Sequence, residues 1–198
     1  MEFIDGEIHI DRPPSDLDEL LLDVAAVLDD TGVKYVAVSG YVAVLFGRAR
    51  ATEDIDVIID RIDAAAADDV AQTLSARGYW GAAMPLDRLH ETLSSDLPFR
   101  VAEDGHFVPN VELKFPTDEF DRISLRDSTT VRLANEELQI GGLELQIAYK
   151  LGMGARKDFE DTLHLYRMSE GNLNTDKLER YVAKLGVEDE YDKLRETR

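Results

Sequence analysis

Arg50-Ala51-Thr52-Glu53-Asp54-Ile55-Asp56-Val57-Ile58-Ile59 is the stretch on which the reading of this chain turns. Its second half is β-branched and apolar, so it reads as a strand over Ile55–Ile59. A strand sends successive side chains to opposite faces. Asp54 and Asp56 therefore share one face, while Ile55, Val57 and Ile59 anchor the other. Two neighbouring carboxylates on a rigid strand repel each other, and a cation relieves that repulsion. Mg²⁺, or Mn²⁺ in its place, suits such a pair, because it takes one or two carboxylates and completes its shell with water and phosphate oxygens.

Upstream, Val33–Val38 forms another β-rich run, broken by Ser39-Gly40, and a short apolar helix follows over Tyr41–Phe46. A small residue and a glycine at a helix start let a phosphate approach backbone N–H groups. Ser39 and Gly40 thus offer a phosphate seat within one strand–helix–strand unit of the metal seat. Arg50 and Thr52 lie just ahead of the acid pair. Arg50 can clamp a phosphate or pair with a neighbouring acid, and Thr52 can face the nucleotide or cap the turn.

Before this unit, Phe3-Ile4 and Ile8-His9-Ile10 flank a turn at Asp5-Gly6, and Ser15 caps a helix ended by Gly32. After it, an Ala-rich helix spans 63–77, followed by a strand over 79–84, a helix over 86–94 and a strand over 99–101. Val108–Phe115 reads as a strand whose Pro109 suits an edge or a first position. Thr130–Leu133 and Glu137–Ile140 make a hairpin about Ala134-Asn135-Glu136. From Leu143 onward the pattern is helical, with Leu143, Ile147 and Leu151 on one face and a final helix capped by Thr175. Strands and helices first and helices last imply an α/β (α+β) core, residues 1–142, followed by a helical segment, residues 143–198.

Composition narrows the function. No apolar run approaches the ~20 residues of a membrane helix, so no membrane partner is expected. Met1–Pro14 is acidic and mixed, unlike a secretory signal, and a cytoplasmic protein is expected. Cysteine is absent, which removes disulfides, thiol catalysis and thiolate metal sites. The 41 acidic residues outnumber 22 basic ones, for a formal charge of −19. That surface repels nucleic acid at low salt, and the repulsion fades as screening shortens to ~3 Å near molar salt. The charge reads as adaptation to concentrated salt, a halophilic trait. His9, His90, His106 and His164 lack zinc spacing, Gly152-Met153-Gly154 lacks a dinucleotide fingerprint, and Ser39 lacks the context of a nucleophile elbow.

The pieces Val38-Ser39-Gly40 and Asp54-Ile55-Asp56 resemble the minimal nucleotidyltransferases of the polymerase-β superfamily. That likeness implies a mixed sheet flanked by helices and a third carboxylate on a later strand. Asn110-Val111-Glu112-Leu113-Lys114 supplies Glu112 in that place, where the family usually has Asp. Leu143-Glu144-x-x-Ile147-x-x-Lys150-Leu151, then Arg156-Lys157-Asp158-x-x-Asp161, is similar to the helical segment of AbiEii-like, toxin-type members. It implies that Lys150 and Lys157 lie near a triphosphate and that the helical segment closes the nucleotide cleft. Asp54, Asp56 and Glu112 would then be the catalytic and metal-holding acids of an enzyme that moves NMP from an NTP to an acceptor hydroxyl. A tRNA, a protein or a small molecule would serve as acceptor, and a toxin or antitoxin as partner. Two other readings share the Asp-x-Asp: a nucleotide-sugar glycosyltransferase, and an inactive nucleotide- or partner-binding module of the same fold.

Overall fold

The computed structural model describes residues 1–197. The chain opens with a hairpin, β1 (Glu2–Ile4) and β2 (Glu7–Ile10), then α1 (Asp16–Asp30), β3 (Tyr35–Ala37), α2 (Gly40–Leu45), β4 (Asp54–Ile59) and α3 (Ala64–Ala76). Next come β5 (Tyr79–Gly81), a 3-10 turn at Leu86–Arg88, α4 (Leu89–Ser94), β6 (Phe99–Glu103), β7 (Asn110–Lys114) and α5 (Glu119–Arg126). A second hairpin, β8 (Thr129–Leu133) and β9 (Glu136–Ile140), leads into α6 (Leu143–Met153), α7 (Arg156–Met168), α8 (Thr175–Leu185) and α9 (Glu188–Glu196). All nine strands among the described residues join one mixed sheet in the order β1-β2-β8-β9-β3-β4-β7-β6-β5. β4 runs antiparallel to β3 and parallel to β7.

The two faces of β4 have different fates. Ile55, Val57 and Ile59 are fully buried in one apolar cluster with Leu21, Val24 and Leu28 of α1 and Val70 and Leu74 of α3. That cluster also takes in Ile147 and Leu151 of α6, Leu165 of α7 and Val182 of α8, so the helical segment packs into the same core as the sheet. On the opposite face, Val36, Val38 and Ile58 form a small separate cluster roofed by Leu125 of α5. The rest of that face carries the polar row described below.

Local chemistry explains the helix starts. Ser15 and Asp18 form a reciprocal capping box for α1. Asp18 also receives Arg12 Nη1 at 2.6 Å and the Tyr41 hydroxyl at 2.7 Å, tying α1 to α2. Asp5 and Gly6 both take positive φ, as a tight hairpin turn requires.

Of the two positions expected to suit Pro109, the strand start is the one found: β7 is an interior strand between β4 and β6, and Pro109 falls just before its first residue, where its missing N–H costs no ladder bond. Asn174, not Thr175, caps α8 through its bond to the Lys177 N–H, and α9 follows as the last helix. The helix α5 was not anticipated, although Asp118 caps it through the Asp121 N–H and Asp121 in turn bonds Thr117. No helix of the described residues is long and apolar enough to cross a membrane.

Candidate active site

β4 and β7 are in parallel register, Asp54 opposite Asn110 and Asp56 opposite Glu112. Directly opposed residues point to the same side, so the expected third carboxylate stands beside the Asp pair. Asp54, Asp56 and Glu112 are all half-buried at this face. Glu112 is engaged elsewhere as well: on its other side β6 places Arg100 in register, and Arg100 Nε donates to Glu112 Oε1 at 2.6 Å. Among the described residues no three acidic or histidine side chains converge as a ready-made metal cluster. The expected three-ligand set shares a row, then, without being gathered around one point.

Asn110 belongs to this site and was missed by the sequence reading. Its Nδ2 donates to Asp54 Oδ1 at 2.8 Å and, more weakly, to the Phe107 carbonyl at 3.3 Å. Its Oδ1 is buried without a hydrogen-bond partner, a costly state for an amide oxygen. The signal was available: Asn110 lies two residues before Glu112 on one strand and so faces the same way.

Burial pushes the Asp56 carboxyl above the ordinary carboxylate range, and the neighbouring charges of Glu112 and Asp54 add to that, while the Ser39 hydroxyl and Lys114 oppose it. The carboxylates of Asp54, Asp56 and Glu112 put oxygen donors on this face. A hard divalent cation such as Mg²⁺ fits that donor chemistry.

The phosphate seat is built differently from expectation. Ser39 adopts φ 66°, ψ −132°, a region that costs a non-glycine residue about 1–3 kcal/mol and tends to occur at functional sites. Its N–H donates to Gln146 Oε1 of α6 at 3.1 Å. Gly141 permits this, since a Cβ there would stand 2.3 Å from Gln146 Nε2. At Gly40 a Cβ would meet the Arg50 guanidinium at 3.0–3.2 Å, so the glycine makes room for an arginine packed over the start of α2. Thr52 closes its own turn by donating to the Asp54 carbonyl at 2.9 Å.

Arg50 is part of a buried ion network. Asp161, fully buried, meets Arg50 Nη1 at 2.5 Å, Arg48 Nε at 2.8 Å and Lys150 Nζ at 2.9 Å. Lys150 also lies 3.6 Å from Asp158, and Arg48 reaches Glu160 at 2.9 Å. Lys150 is only 2% exposed. It nonetheless borders a cavity of about 230 Å³ together with Ser39, Asp56, Gln146 and Tyr149, with Lys114, Phe120 and Asp121 on the far wall. Lys157 is separated from it by a helix break at Gly154, which is left-handed with φ 72°. It stands exposed on the first turn of α7 and does not line that cavity.

Neither a protein-family model nor a curated relative matches this sequence. Solved structures do. An antigenic nucleotidyltransferase-like protein from Paracoccidioides brasiliensis superposes with a TM-score of 0.52 at 18% identity, over 93% of this chain and 95% of that one. The solution structure of the antibiotic-resistance factor ANT(2'')-Ia gives 0.53 at 15% identity, over 91% of this chain and 97% of the other. These likenesses establish a nucleotidyltransferase-like fold.

Proposed function

We propose that this chain is a metal-dependent nucleotidyltransferase that moves NMP from an NTP to an acceptor hydroxyl. The observation that carries the proposal is the row of Asp54, Asp56 and Glu112 on one face of β4 and β7, with a single arginine set against three acids. Asp54 and Asp56, with Glu112, would hold Mg²⁺ or Mn²⁺, which when bound there supplies charge neutralisation to the phosphates. Asn110 holds Asp54 in one orientation, leaving its second oxygen available. Glu112 takes the proton of the acceptor hydroxyl as that oxygen attacks the α-phosphorus. The new P–O bond forms as the bond to the β-phosphate oxygen breaks, and pyrophosphate leaves. Ser39 and Gly40 offer the phosphate seat, rimmed by Gln146 and Arg50, and Arg50 and Lys150 stand beside it as members of the Asp161 network. The helical segment that begins at Leu143 closes the cleft through Gln146, Tyr149 and Lys150 of α6.

The likeness in sequence of Leu143–Asp161 to toxin-type, AbiEii-like members supports a cognate toxin or antitoxin partner, with Lys157 standing outside the cavity. The acceptor would be a tRNA, a protein or a small molecule. The charge of −19 supports adaptation to concentrated salt, and the absence of cysteine is compatible with a cytoplasmic setting. The Arg100–Glu112 pair favours one rival, an inactive nucleotide-binding module of the same fold.

The test is the product released. Phosphate-labelled NTPs are incubated with Mg²⁺ and, in turn, RNA, protein and small hydroxyl acceptors. Pyrophosphate release that disappears in Asp56→Asn supports transfer. No release with any acceptor sinks the enzyme reading and leaves the binding module, whereas nucleoside diphosphate formed from a nucleotide sugar would support a glycosyltransferase.

A further inference from the structure

Across three adjacent strands the side chains of Asp56, Glu112 and Arg100 stand in one register row, acid, acid and base. β6 lies on the side of β7 away from β4. The Glu112 oxygen bonded to Arg100 is therefore committed to the strand opposite the Asp pair. Glu112 is 16% exposed in its side chain and Arg100 49%. Among the described residues, that hydrogen bond is the only one the Arg100 side chain makes. An arginine that packed structurally would be buried or would bridge several groups, as Arg48 does. A half-exposed ion pair contributes little to stability, so a competing cation can release it readily.

We infer that Arg100 is a positioning residue that serves as the resident counter-ion of the site, holding Glu112 toward β6 until a divalent cation displaces it. Arg100 thereby sets the affinity for that cation: by holding Oε1 on the β6 side it competes with the ion for the Glu112 carboxylate. The inference rests on the nucleotidyl-transfer reading of Asp54, Asp56 and Glu112. It explains why the three acids share a row yet do not converge. It also assigns β6 a part in the site that no motif on that strand announces.

The test is Mn²⁺ binding to the full chain without nucleotide, followed by the paramagnetic signal of the free ion. Five proteins are compared: wild type, Arg100→Gln, Glu112→Gln, their double variant and Asp56→Asn. Arg100→Gln is expected to tighten Mn²⁺ by roughly two- to fivefold, the size of a surface ion pair. Glu112→Gln is expected to weaken binding, and to shrink the Arg100→Gln gain to less than twofold. Unchanged or weaker binding in Arg100→Gln overturns the inference. So does an equal gain in the Glu112→Gln background, which would mark plain removal of a positive charge. If the wild type binds Mn²⁺ through Asp56 and only the Arg100 effect is missing, this inference alone fails. If Asp56→Asn binds Mn²⁺ as well as wild type does, the functional reading of the row fails with it.

Discussion

Two charged clusters lie close together in this molecule and are balanced in opposite ways. In the buried network, Arg48, Arg50 and Lys150 meet Asp158 and Asp161, and at its exposed edge Arg48 shares Glu160 with Arg156, so every acid has a cation. On the sheet face, Arg100 is the one cation among the described residues ion-paired to Asp54, Asp56 or Glu112, while Lys114, paired with Asp121, acts on Asp56 at longer range. The first cluster has its acids ion-paired within the chain and joins α6, α7 and the loop before β4. The second is short of positive charge. A balanced buried network is a structural device whose members cannot be lost singly. A deficient one is arranged for something that comes from outside.

The comparison breaks if the two clusters respond alike to mutation. Lys150→Ala should show the largest effect, a loss of about 3–5 kcal/mol in folding free energy, because it leaves Asp161 and Asp158 buried with less compensation. Urea denaturation measures it; a loss within error would mean that the network is not structural. Lys150→Arg, which keeps the charge, should recover most of the stability. Asn110→Ala comes next. It should cost roughly 10–100-fold in metal affinity or turnover, the usual scale for a residue that orients a metal-holding carboxylate. Folding should change far less than in Lys150→Ala.

The smallest effect is on pH. Burial raises the Asp56 carboxyl in the folded protein, so the native state holds that proton more tightly than the unfolded chain does. Stability from this group is full below the ordinary carboxylate range and falls as pH rises through its raised folded value. Asp56→Asn removes that slope. Metal-free wild type should therefore lose melting temperature relative to Asp56→Asn as pH rises through the acid range, and parallel curves would contradict it. Divalent-ion binding should run the other way and weaken as pH falls into the same window.

Much of the frame was legible because it depends on local periodicity. Alternation along β4, the Ser15 cap, the Asp5-Gly6 hairpin and the Ala134 hairpin all follow from spacings of a few residues. Glu112 was legible too, since apolar Val111 and Leu113 flank it and force it to the opposite face. Asn110 obeys the same rule and was passed over because an amide carries no charge signal. What the sequence could not supply is pairing across distance. Asp161 joins Arg50 over 111 residues of chain. Gln146 reaches Ser39 over 107. Lys150 looked like a free phosphate ligand because its position on α6 was legible and its buried partners on α7 were not. Arg100 was invisible for the same reason: only strand order places it beside Glu112.

The central claim is that the deficient row on β4 and β7 holds a metal-bound nucleoside triphosphate. Its most direct test is the melting temperature of wild type and Asp56→Asn with each of the four NTPs, with Mg²⁺ and with chelator. A ligand at 100 times its dissociation constant stabilises the native state by about 2.7 kcal/mol. The account predicts a rise of several degrees for wild type with at least one Mg²⁺–NTP, absent with chelator and absent in Asp56→Asn. No rise with any of the four, or an equal rise in Asp56→Asn, would contradict it.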